Sequence, residues 1–110
     1  MSTDAFREQL AQLNAEYRAA LPARLVEIDA LWSKASAGGG APMTELHRLL
    51  HSVAGSAKTF GLPAVSAAAR EAEHCIEALC GGKAQPAAPS AAGRERAAGL
   101  LAALRSASGN

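Results

Sequence analysis

Aromatic side chains are scarce in this sequence. Two Phe, one Tyr and one Trp make up 4 % of its 110 residues, which excludes a core built from stacked rings. Cysteine is nearly absent too. Cys75 and Cys80 are the only thiols. On one helix they would stand about 140° apart around the axis and about 7.5 Å along it, which is poor geometry for a disulfide. That spacing matches no zinc knuckle, so both are expected as buried or half-buried thiols. No apolar run approaches the ~18 residues of a membrane span, and the polar, acidic start "MSTDAFREQLAQ" does not read as a secretory signal. Neither sign of charge dominates: eleven basic and ten acidic residues leave a formal +1. A nucleic-acid-binding domain normally shows a basic face. Neither nucleic acid nor membrane is therefore the expected partner, and the cytoplasm is the expected compartment.

What the sequence has is alanine and leucine, which supply most of a 49 % hydrophobic content. Both lose little entropy in helices, and together they predict a Leu/Ala seam between close helices. The length is that of one domain, and no strand pattern appears. The predicted fold class is all-α, an antiparallel four-helix bundle with an additional short N-terminal helix. Apolar residues from Phe6 through Leu10, Leu13, Tyr17, Leu21, Leu25 and Ile28 to Leu31 step by three or four. Asp4 or Thr3 could cap this stretch. Pro22 harms a helix interior and suits a first turn, so the stretch is read as helices over 3–20 and 21–34, or as one kinked helix. "ASAGGGAP" (Ala35 to Pro42) reads as a flexible loop. Helices over 43–60, with Thr44 as its cap, and 62–80 follow, separated by the stop signal Gly61 and the helix-starting Pro63. A connection this short makes the two antiparallel neighbours. Gly81 to Gly93 reads as a second, mobile loop. A last helix over 91–106 turns Leu100, Leu101 and Leu104 inward, and the tail "SASGN" is expected to fray.

The helix over 43–60 raises a question of its own. At about 100° per residue, Leu46, Leu49, Leu50, Val53, Ala57 and Phe60 share one arc, and His51 lies opposite its centre. The exposed arc around His51 holds Thr44, His47, Arg48, Ala54, Gly55 and Lys58. A mid-helix glycine costs about 1 kcal/mol relative to alanine, and an exposed Gly55 brings no folding benefit. It opens space beside the imidazole for another molecule to approach. An exposed imidazole is a nucleophile near neutral pH, and a nearby cation can stabilise a phosphoryl group placed on it.

With these residues in view, "HSVAGSAKTFGL" resembles the signature of histidine-containing phosphotransfer (Hpt) domains of two-component signalling. His51, Gly55, the small pair Ser56-Ala57, Gly61 and Leu62 carry the resemblance, and the helix order agrees over most of the chain. The resemblance implies a four-helix bundle that carries a phosphoryl group on His51. The partners it implies are a response-regulator receiver domain and a sensor histidine kinase, with the chain itself a monomer. It implies no cofactor of the chain's own, since Mg²⁺ belongs to the receiver. Many members carry lysine three residues after the histidine, where Ala54 stands. Lys58, seven residues on and on the same face, is the first candidate to hold the phosphoryl group, and Arg48 is the second. Arg70, on the next helix and level with His51, is the third. Ala54, Gly55 and His47, with Leu62 and Ala41 farther off, would form the docking surface.

His47 and His51, four apart, could hold a metal with His74 or Glu71 as a third ligand. The catalytic zinc pattern needs Glu after the first His, and Arg48 stands there, so no metal is expected. Arg70, Glu71, Glu73, His74 and Glu77 read as the solvated face of their helix, and Trp32 as a packing residue near the glycine-rich loop. No nucleotide-binding fingerprint, phosphate loop or Ser/His/Asp arrangement is present. Without a kinase active site, any phosphoryl group on His51 must come from another protein. The alternative is a non-phosphorylated helical docking or dimerisation module in which His51 is incidental.

Overall fold

The computed structural model describes residues 3–80 and 90–109, with the side chain of Cys80 outside that description. Four helices follow one another: α1 (Thr3–Gly38), α2 (Ala41–Thr59), α3 (Pro63–Cys80) and α4 (Ala91–Ala107). α1 packs on α2, α2 on α3 and α3 on α4, while α4 closes back on α1 through a lighter contact. Arg105 of α4 donates to Asp29 of α1 at 3.0 Å across that closure. No helix among the described residues is long and apolar enough to cross a membrane.

Two boundaries differ from the sequence reading. The separate N-terminal helix does not exist, because α1 runs unbroken through Pro22. A proline ring removes one N–H and presses on the carbonyl four residues back, which here belongs to the exposed Arg18. The loop expected over Ala35 to Pro42 shrinks to Gly39 and Gly40, both at positive φ (67° and 69°). Ala35 is fully buried and holds the last turns of α1 on the core. α2 therefore starts at Ala41 with Pro42 in its first turn, and Thr44 lies inside the helix instead of capping it. Most of the stretch expected as a second loop, residues 81–89, lies outside the described residues. Its end does not: the Ser90 hydroxyl accepts from the N–H of Gly93 at 3.1 Å and caps α4. At the other end α4 extends to Ala107, and the Ser108 hydroxyl donates to the Arg105 carbonyl at 2.7 Å.

The core is the expected Leu/Ala seam. Leu25, Ile28, Leu46, Leu50, Ile76 and Leu104 are buried, with Ala57, Ala69, Ala72 and Ala97 between them. Trp32 packs against this core and Cys75 is a buried free thiol. α2 ends as Gly61 predicts. With φ at 76°, Gly61 donates to Lys58, and Leu62 donates back to the Ala57 carbonyl at 2.8 Å. This double closure satisfies the last carbonyls of α2 and turns the chain straight into Pro63, so α3 runs back antiparallel alongside His51.

Candidate functional site

His51 stands in the middle of α2 with three-quarters of its side chain exposed. The leucines and alanines on the opposite side are held in the core, so the helix cannot rotate to bury it. Gly55 is exposed one turn on, and a Cβ built there would meet nothing within 4 Å. No neighbour requires a glycine at this position, so the bare patch is not a packing device.

The ring is not free to turn. Its Nδ1 lies 2.6 Å from Oε2 of Glu73. A carboxylate only accepts, so Nδ1 carries the hydrogen, and Nε2, which holds the lone pair in the neutral ring, is directed away from the carboxylate. Glu73 is a correction to the sequence reading. It sits on α3 with only 11 % of its side chain exposed, not on a solvated face. It lies about 70° from the centre of the Val65, Ala69, Ala72 and Ile76 stripe, at the edge where α3 meets α2.

Ala54 is the second correction. Read as part of the exposed arc, it is 2 % exposed. It faces α3, where the buried Ser66 donates to the Ala54 carbonyl at 2.6 Å. A helical wheel has no neighbours, and α3 covers the flank that Ala54 occupies. Ala54 therefore belongs to the close α2–α3 contact and is withdrawn from the docking surface. Leu62 is half-buried against the core, and exposed Ala41 is ten residues, or about 15 Å, from His51 along α2.

The remaining candidates divide between two hollows on the α2–α3 seam. One is lined by Thr44, His47, Arg48, His51, Glu73 and Glu77. In it the Nε2 of His47 is buried without a hydrogen-bond partner, 3.7 Å from Glu73 and 3.8 Å from Glu77. Arg48 is mostly exposed and pairs with Glu45 at 3.1 Å. The other hollow is lined by Lys58, Ser66, Arg70 and His74 among others. Thus Arg48 shares the hollow of His51, while Lys58 and Arg70 meet in the neighbouring one. Neither Lys58 nor Arg70 has an ion-pair partner among the described residues. No group of three or more His, Cys, Asp or Glu side chains among the described residues is arranged to hold a metal ion.

Comparison with protein-family models matches the chain, over residues 3–107, to the model described as Hpt domain. No curated protein and no solved structure matches it.

Proposed function

The chain belongs to the Hpt domain family and so serves histidine-containing phosphotransfer in two-component signalling, and we propose that His51 is the residue that carries the phosphoryl group. The observation that supports this most is the Nδ1–Glu73 hydrogen bond on an otherwise exposed ring. It selects Nε2 as the nucleophile and directs it toward solvent, where a partner must come.

Hpt domains interact with receiver domains and kinases in phosphorelays. In our reading, Nε2 attacks the phosphorus of a receiver's aspartyl phosphate. The N–P bond forms as the P–O bond to the aspartate breaks, and the carboxylate leaves with that electron pair. The ring becomes cationic, with its Nδ1–H still directed at Glu73, whose negative charge stabilises it. The reverse attack by another receiver's aspartate returns a neutral imidazole. Magnesium bound to the receiver would neutralise the moving charge. Gly55 leaves the room a receiver needs to reach the ring. Lys58 holds the phosphoryl oxygens, because it can swing toward them without leaving an ion-pair partner. Arg48 is the second choice, since it must first leave Glu45, and Arg70 supports Lys58 from across the seam.

The test is phosphotransfer from a phosphorylated receiver or kinase to the purified chain. Acid-labile, base-stable label is expected on the native protein and not on His51→Gln. Label that persists in that variant would move the site elsewhere. No label from any donor would favour a docking module.

A further inference from the structure

The first three turns of α1, through Leu13, bury no residue in the bundle. α1 is 36 residues long, against 19, 18 and 17 for the other helices. At 1.5 Å per residue it accounts for the 55 Å long axis of the molecule. Its first buried residue is Leu21. Before that, Phe6, Leu10 and Leu13 are 62 %, 42 % and 46 % exposed. Contact with the body of the protein comes later, where Asn14 is partly buried and Tyr17 is stacked on Phe60 at 4.9 Å and hydrogen-bonded to Ser56 at 2.9 Å. A lone helical segment of this length is marginal in water, and three large apolar side chains in a row on it call for cover.

We propose that the cover is the same segment of a second copy of this chain, lying antiparallel. Three features favour that occupant. Phe6, Leu10, Leu13 and Tyr17 step by four, three and four, the narrow seam of a two-helix coiled coil. Their order of ring, leucine, leucine, ring reads the same in both directions, as a two-fold interface requires. Leu10 then meets the second copy's Leu13, and Phe6 meets its Tyr17. The flanks also match. The two-fold sets Gln9 opposite the second copy's Glu16, an amide donor facing a carboxylate, and brings no two like charges face to face across the seam.

The bundle excludes the parallel alternative. The exposed stripe lies on nearly the same side of α1 as Leu21, Leu25 and Ile28, so a parallel partner would run into the bundle. An antiparallel one ends above it, with its Phe6 beside the Tyr17–Phe60 stack and the hollow lined by Leu21, Leu62 and Val65. His51 precedes Phe60 by nine residues, about 13 Å along α2, and stays open in both copies.

Sedimentation velocity of the full chain tests this, loaded from roughly 5 to roughly 200 µM because a dimer fills by mass action. The native protein is expected to move toward twice its 11.2 kDa mass. Leu10→Glu is expected to stay at single mass, with its helical circular dichroism retained since Leu10 supports no core. A native chain of single mass throughout overturns the proposal, and so does a Leu10→Glu chain that still dimerises. Phe6→Cys in a Cys80→Ser background tests orientation. The two sulfurs would be about 16 Å apart in the antiparallel pair, so no disulfide between copies is expected, and rapid formation of one overturns the arrangement.

Discussion

The two hollows beside His51 share the same pair of helices and differ in kind. The one toward the start of α2 is acidic on its α3 side, and its carboxylates are engaged: Glu73 holds His51, and both Glu73 and Glu77 face His47. The one toward the end of α2 carries Lys58 and Arg70, two cations without ion-pair partners among the described residues, against a single carboxylate, Glu71. A buried acceptor that touches the ring can set its tautomer, whereas an exposed, uncommitted cation can follow a group that arrives and leaves. Under the proposed function this is a division of labour, with one side orienting the nucleophile and the other receiving the anion.

The sharpest way to break this picture is to block access without touching either hollow. Gly55→Leu should fold, since nothing lies within 4 Å of its Cβ direction. It should lower transfer from a phosphorylated receiver by roughly 100-fold, the scale of a misplaced reactant. Unchanged transfer would remove the access argument. Next, Glu73→Ala should slow phosphorylation of His51 by roughly 10- to 100-fold, or about 1.4 to 2.7 kcal/mol of barrier. Glu73→Gln should lose less, because an amide oxygen still accepts from Nδ1. Equal rates for all three proteins would detach the acidic hollow from the chemistry. On the basic side, Lys58→Ala should cost about tenfold in rate or in phosphohistidine lifetime, about 1.4 kcal/mol, and Arg48→Ala about twofold. A reversed order would move the clamp into the hollow of His51. The smallest effect separates folding from access: Gly55→Ala should raise stability by about 1 kcal/mol in urea denaturation while leaving most of the transfer intact.

Much of this site was legible without coordinates. Periodicity alone turned His51 away from the leucines, and the burial of Leu46, Leu50, Val53 and Ala57 agrees. Gly61 and Pro63 announced the reversal that sets α3 beside α2. Glu73 was read as solvated because a charge at the edge of a stripe looks the same whether water or a neighbouring helix lies beyond it. Ala54 was misplaced for the same reason. Pro22 misled in the other direction. Local propensity argues for a break there, but packing of Leu21 and Leu25 on the core keeps α1 whole.

By itself, the sequence determined the helices, the inward faces and the exposure of His51, since these follow from local propensity and a period of 3.6 residues. Only the tertiary structure decided what lies on the flanks of that histidine: that Glu73 holds Nδ1, that Ala54 is covered by α3, and that Lys58 and Arg48 occupy different hollows. The physical reason is that a flank is defined by the neighbouring helix, whose distance and rotation depend on how small residues such as Ala54, Ser66 and Ala69 let two backbones approach.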